Sequence, residues 1–206
     1  MVSVPVSRLD TLAEKNTPQA LDYAQHHLFI DTSRTSTHCT QLKNWQPSQW
    51  DHQAVQSSLK AINNHFQPQK VTVESFPTHF ITLRKYQNEW ILYDRCDGMD
   101  RRLELRDTAV VFYGPLESYG ASIEKVLVQS GQTLALQIKL HPNAEPQSRQ
   151  LKITQLESFV YNIMLYELPF GQMRYATVPE AIDQFDLLVN HCPTQKVIEF
   201  DDFDPL

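Results

Sequence analysis

Three residue types that together perform acyl chemistry occur along the chain in a suggestive order. Cys39 comes first, His79 follows it, and Asp94 lies a short distance beyond the histidine. In cysteine hydrolases the thiolate attacks a carbonyl carbon, the imidazole moves the proton, and the carboxylate orients the imidazole. The pattern therefore predicts Cys39, His79 and Asp94 as a catalytic triad.

A β-hairpin would have to position the histidine and the aspartate. The segments 79–85 and 89–95 alternate apolar and polar residues, which is typical of half-buried strands. Gln87 and Asn88 can form a two-residue turn between them. In that register His79 opposes Cys96, and Asp94 is a diagonal neighbour on the same face, about 7–8 Å away between backbones. A three-residue turn would place the two side chains on opposite faces, so the prediction depends on this register.

The hairpin sequence HFITLRKYQNEWILYDRCDG, residues 79–98, resembles that of papain-like cysteine hydrolases. These include Josephin-type deubiquitinases, transglutaminase-like proteins and arylamine N-acetyltransferases. An aromatic residue follows the histidine, and Trp90 with Tyr93-Asp94 matches a Trp-x-x-x-Asp pattern. The resemblance implies a papain-like core and a hydrolase or acyltransferase acting on a protein or isopeptide substrate. Ubiquitin-like proteins are among the candidate substrates and partners.

The sequence offers more than one candidate for the catalytic nucleophile. Cys39 is the only cysteine upstream of His79, and a short helix from Cys39 to Asn44 would lower its pKa. However, the small flanking residues and the upstream glutamine typical of the resembling families are absent. Cys192 would serve an adenain- or Ulp-like protease with the order His-Asp-Cys, whereas Cys96 is expected to be buried beside His79. A further alternative, from a different class, is a non-catalytic interaction module, an inhibitor or adaptor without a competent nucleophile.

The elements around the hairpin predict an α+β fold, with a central antiparallel sheet and helices at both ends of a single domain spanning residues 1–206. A weak boundary is possible near residues 105–120. Expected helices span Thr17–Leu28, Cys39–Asn44, Ser48–Phe66, Leu156–Leu168 and Pro179–His191. Besides the hairpin, expected strands span Ala109–Tyr113, Glu124–Gln129, Leu134–Leu140, Gln150–Ile153 and Lys196–Phe200.

Composition narrows the function classes. The net charge of −6 gives no electrostatic basis for nucleic-acid binding. No apolar run approaches the length of a membrane helix or a signal peptide, so we expect a cytoplasmic protein that does not bind membranes. Three widely spaced cysteines predict neither a disulfide framework nor a metal site, and no motif implies a cofactor.

The C-terminal sequence IEFDDFDPL combines four acidic residues with Phe200 and Phe203. In composition it resembles the tails of bacterial type IV secretion effectors, which would place the protein in a host cytosol. A docking peptide is the second interpretation, and a frayed terminus is the default one.

Overall fold

The computed structural model describes residues 22, 24, 26–72, 76–96, 98–145, 147–166, 175–193, 199–201 and 203–204. Within these ranges the chain is dominated by strands. The strands are β1 (His27–Asp31), β2 (His79–Tyr86), β3 (Glu89–Arg95), β4 (Gly98–Met99), β5 (Arg102–Leu105), β6 (Ala109–Tyr113), β7 (Ser118–Gln129), β8 (Thr133–Lys139), β9 (Ser148–Glu157), β10 (Val160–Leu165), β11 (Tyr175–Thr177) and β12 (Asp186–His191). The helices are α1 (Thr37–Lys43), α2 (Gln49–Asn63) and a 3₁₀ helix at Pro179–Gln184.

Eight of the strands close into an antiparallel barrel. Strands β5 to β10 follow one another as a meander, β11 pairs with β10, and β2 pairs with both β11 and β5. A smaller sheet continues from the barrel in the order β2, β3, β12, β1. In this sheet β12 runs parallel to β3, while β1 is antiparallel to β12 and β4 adds to β3.

The barrel interior is filled by alternate side chains of its strands. On β8, Leu134, Leu136 and Ile138 are essentially inaccessible to solvent, and on β9 so are Leu151 and Ile153. A period of two places these residues on one face, which an eight-stranded barrel closes around itself. Burial of these apolar side chains is the main favourable contribution to the free energy of folding.

The predicted hairpin turn and its register are confirmed. Gln87 and Asn88 both have positive φ, 50° and 66°, as a type I′ turn requires. Tyr86 pairs with Glu89, and Arg84 pairs with Ile91, which is the even register that the sequence predicts. The ladder between β2 and β3 does not continue past that pair, because residues 79–81 of β2 pair with β5 instead.

Two of the predicted helices are also confirmed, and both begin with a side-chain cap. The Ser36 hydroxyl accepts a hydrogen bond from the Cys39 amide at the start of α1. Ser48 and Asp51 form a reciprocal capping box at the start of α2. Among the described residues, no helix is long and apolar enough to span a membrane.

The α+β, papain-like fold class predicted from the sequence is wrong, because eight strands close into an antiparallel barrel and much of the sequence expected as C-terminal helix is strand. Within residues 160–165, Tyr161, Ile163 and Leu165 are buried in the barrel and Met164 is exposed, which is the alternating burial of a strand. Only the first half of the expected helix at 179–191 is helical, and its second half is β12. Four consecutive residues of β12, 187–190, are buried, since the strand lies between β1 and β3. A continuous apolar run of this kind fits a buried strand as well as a helix.

The two terminal predictions lie partly outside the described residues. Of the helix expected at Thr17–Leu28, residues 17–21 are not described, and its last two residues begin strand β1. Of the strand expected at Lys196–Phe200, only residues 199 and 200 are described, and they are not in a strand.

Helix α2 packs closely on the outer face of β7. The amide of Gly120 donates to the Ser58 hydroxyl at 2.7 Å, and the Ser118 hydroxyl donates to Asp51 at 2.6 Å. A Cβ atom placed on Gly120 would lie 2.5 Å from Cγ of Leu59. The glycine is therefore required for the helix to approach the strand this closely.

We predict that Gly120→Ala lowers the free energy of unfolding by about 1–3 kcal/mol, because the added methyl overpacks this contact. Gly131→Ala is the matched control, since a Cβ there has no atom within 4 Å and the stability should change by less than about 0.5 kcal/mol. Urea denaturation of both variants measures the difference. Equal stabilities would contradict the packing argument, and Leu59→Ala should partly rescue the Gly120 variant.

Candidate ligand-binding cleft at His79

The aspartate of the predicted triad does contact a histidine, but it is His38 rather than His79. Nδ1 of His38 lies 2.6 Å from Oδ2 of Asp94, and both side chains are largely buried. Strand β3 has left β2 at this point, and Asp94 pairs with Val189 of β12. The His38 ring also packs edge-on against Phe29. Asp94, on β3 of the smaller sheet, therefore orients an imidazole on helix α1.

His79 lies at the start of β2, on the barrel. Its cross-strand partner is Glu104 of β5, not Cys96, and its Nδ1 lies 3.0 Å from the Thr78 hydroxyl. The side chain is exposed. The structure thus places His79 on the barrel and Asp94 on the smaller sheet, and it gives them different partners.

Cys39 is buried in the main apolar core, with 4% of its surface exposed. Burial raises the pKa of its thiol, and the opposing effect of the Lys43 ammonium is smaller. A reactive cysteine needs the reverse, a depressed pKa and access to solvent. The described environment therefore keeps Cys39 as a protonated thiol at neutral pH.

The remaining two cysteines are bonded to each other. Cys96 and Cys192 form a disulfide between the ends of β3 and β12, with Cα atoms 5.2 Å apart. The expectation that Cys96 is buried beside His79 is therefore wrong. In this form neither sulfur is a thiol, so Cys192 is not available as a nucleophile either.

A cleft of about 330 Å³ opens beside His79, between the outer face of the barrel and the two helices. The residues that matter for its chemistry fall into an apolar and a polar group. The apolar wall includes Trp45, Pro47, Phe80, Ile81, Leu103 and Pro179, and the polar wall includes Lys43, His52, His79, Arg102, Glu104, Arg106 and Tyr113. An apolar lining with a few placed polar groups is typical of sites for small molecules.

The most unusual of these residues is Arg102. It is 7% exposed, its guanidinium lies 4.5 Å from the centre of the Trp45 ring, and Nη2 donates to the Leu42 carbonyl at 2.8 Å. Within the part of the chain that the structure describes, the buried Nε has no hydrogen-bond acceptor. Burial without a carboxylate lowers the pKa of the guanidinium to about 10, so it still carries its charge at neutral pH. Such a charge is costly to bury unless it is paired.

The other charged groups of the cleft have partners. Arg106 forms two hydrogen bonds to Glu104, at 2.8 and 3.0 Å, and Tyr113 donates to the same carboxylate at 2.8 Å. Burial alone would raise the pKa of Glu104, but these bonds outweigh it and hold the pKa below its usual value. Lys43 is paired with Asp183 at 2.6 Å. Among the described residues, Arg102 is therefore the charged side chain of the polar wall that has no acidic partner, and this favours an anion in the cleft.

Sequence reasoning placed His79 in a site but missed the residues around it. The sequence of β5 did indicate a polar face. Arg102 and Glu104 alternate with two leucines and therefore lie on the same side of the strand. Trp45 gave no comparable signal, because its contact with Arg102 joins residues distant in sequence.

Within the described residues, no group of three or more His, Cys, Asp or Glu side chains is arranged to hold a metal ion. No family model matches the chain, and no curated protein or solved structure gave a match. The inference of function therefore rests on the geometry of the site.

We predict that iodoacetamide labels Cys39 of the native protein about tenfold or more slowly than free cysteine at pH 7.5, because the thiol is buried and protonated. Mass spectrometry under non-reducing conditions measures the rate, and the unfolded protein is the control for full reactivity. His79→Ala should not change the rate. Fast labelling that this substitution abolishes would instead support the predicted thiol enzyme.

We predict that Glu104→Gln lowers the free energy of unfolding by about 1–3 kcal/mol at pH 7, because it leaves Arg106 without its carboxylate. Since the pKa of Glu104 is depressed in the folded state, its contribution is complete above its unfolded pKa and disappears as the pH falls through the folded value. The stability difference from wild type should therefore shrink below about pH 4.3. Urea denaturation from pH 3 to 7 tests this, and a constant difference would contradict it.

Proposed function

We propose that this protein is a non-catalytic binding module that holds a small organic anion in the cleft beside His79. The ligand class is a carboxylate or phosphate monoester with an apolar body. The single observation that carries the proposal is the buried Arg102 guanidinium, which has an unmet donor and no acidic partner.

The walls of the cleft support this ligand class. The centroids of the Trp45 and Tyr113 rings lie 5.2 Å apart, and both residues line the cleft together with Arg102. An apolar ligand body can pack on these rings while its anionic group reaches the guanidinium, whose planar donors match carboxylate and phosphate geometry. A volume of about 330 Å³ is near the lower end of the range for small-molecule sites.

The state of the cysteines favours a binding module over a thiol enzyme. Cys39 is buried with a raised pKa, and the other two cysteines form a disulfide. A nucleophile needs a thiolate within reach of a base, and Asp94 orients His38 on helix α1 rather than His79. These observations support the proposal that the chain binds its ligand without cleaving it.

The test is isothermal titration of the full-length protein with benzoate, phenyl phosphate and the neutral analogue benzamide. We predict that the two anions bind at least about tenfold more tightly than benzamide, because a hydrogen bond to a charged group contributes about 1.5–3 kcal/mol. The net charge of −6 disfavours non-specific anion attraction. Equal binding of benzoate and benzamide, or binding of none of the three probes, would overturn the proposal.

Arg102→Gln assigns the effect to the cleft, and it should reduce the anion preference at least about tenfold. Lys70→Gln is the matched control, since Lys70 is an exposed cation paired with Asp107 outside the cleft. Lys70→Gln removes one positive charge, as Arg102→Gln does, and should leave the affinity for the anions unchanged. Urea denaturation checks that the arginine variant is folded. Retained anion preference in folded Arg102→Gln would place the anion elsewhere.

A further inference from the structure

The C-terminal residues 199–201 and 203–204 lie on the outer face of the β2–β3 hairpin, far in sequence from the strands they contact. The Phe203 ring packs edge-on against Tyr93, with centroids 5.2 Å apart, and against Phe200 at 4.9 Å. The Phe200 ring also packs edge-on against Tyr86, with centroids 5.9 Å apart. The Arg84 guanidinium lies 5.3 Å from the centre of the Phe203 ring. Two phenylalanines therefore anchor the segment in an aromatic surface.

Polar contacts hold the segment at both of its ends. Glu199 accepts a hydrogen bond from the Tyr93 hydroxyl at 2.6 Å, and that hydroxyl accepts one from the Phe200 amide at 2.9 Å. At the other end, the Asp204 amide donates to the Lys85 carbonyl at 2.8 Å, and its carboxylate accepts from the Asn88 amide at 2.7 Å. The described tail residues, 199–201 and 203–204, thus contact the hairpin through both aromatic and polar groups.

The surface that receives the segment carries the opposite charge. Arg84, Lys85 and Arg95 line it, whereas the segment contributes Glu199, Asp201 and Asp204. We call this surface, with Tyr86 and Tyr93 at its base, the hairpin groove. Complementary charge and paired aromatic anchors are typical of peptide-recognition sites.

The described residues of the tail leave part of the hairpin groove unfilled. An open volume of about 410 Å³ remains beside it. Arg95, which lines this volume, has a buried Nε that forms no hydrogen bond and lies 3.7 Å from Glu199. A better-placed carboxylate on another peptide could satisfy that donor.

We propose that the hairpin groove is a binding site for acidic peptides with a Phe-x-x-Phe-Asp sequence, and that the chain's own tail occupies it as an intramolecular competitor. The partner is a protein that presents such a segment. Because the tail is tethered, its effective concentration is on the order of millimolar, and it masks the groove until a partner or a tail substitution displaces it.

The test uses a fluorescent peptide of sequence EFDDFDPL and the full-length protein, with binding followed by anisotropy. Phe200→Ala/Phe203→Ala removes the tail anchors and should bind the peptide about tenfold or more tightly than wild type does. A control peptide with both phenylalanines replaced by alanine should not bind. A folded double variant that fails to bind the peptide, or binds the control peptide equally well, would overturn the proposal.

Two single substitutions keep the test decisive if the double variant is unstable. Asp204→Ala removes the carboxylate that accepts from the Asn88 amide. It should raise peptide affinity several-fold over wild type, and an unchanged affinity would count against the proposal. Tyr93→Phe keeps the ring but removes the hydroxyl that binds Glu199 and Phe200, so it should weaken peptide binding in the Asp204→Ala background about tenfold. Tyr166→Phe, an exposed tyrosine outside the groove, is the matched control and should have no effect.

A second copy of the chain is the competing occupant. Sedimentation of wild type over a range of concentrations detects it, because exchange of tails between copies would make dimers. Monomers at all concentrations support a groove masked within one chain. Dimers that Phe200→Ala/Phe203→Ala abolishes would assign the groove to a second copy and overturn the partner-peptide proposal.

Discussion

Strand β2 changes its neighbour along one edge, and the rest of the molecule depends on that change. Near the turn, Arg84–Tyr86 pair with β3, whereas His79–Ile81 pair with β5. The opposite edge of β2 is taken by β11. A backbone edge can hydrogen-bond to one neighbour at each position, so closure of the barrel through β5 forces β3 away from β2. The divergence creates two sheets from one hairpin.

The two sheets present separate chemical surfaces. The cleft with Arg102 lies on the outer wall of the barrel, next to the helices, while the hairpin groove with Tyr93 lies on the smaller sheet. The smaller sheet also holds the contact between Asp94 and His38. Among the described residues, the two candidate sites share no lining residue.

Arg102 illustrates the conflict between stability and binding in this fold. Its charge is buried against Trp45 with no carboxylate nearby, and an apolar side chain of similar size would avoid that desolvation cost. Its bond to the Leu42 carbonyl helps to end α1, which explains part of its presence. The unmet Nε donor is not explained by that bond, and a bound anion would account for it.

The sequence by itself determined what depends on neighbours along the chain. The two-residue turn at Gln87-Asn88, the alternation of β2 and β3, and the start of a helix near Ser48 were predictable, because backbone dihedrals and side-chain period decide them. Only the tertiary structure decided which histidine meets Asp94 and which charges surround His79. The protonation state of Cys39 also depends on the tertiary structure. A position at the start of a helix favours the thiolate, but burial in the core favours the thiol more strongly. Barrel closure and burial bring together residues that are distant in sequence. The local sequence pattern of a strand does not specify which other strand pairs with each of its edges.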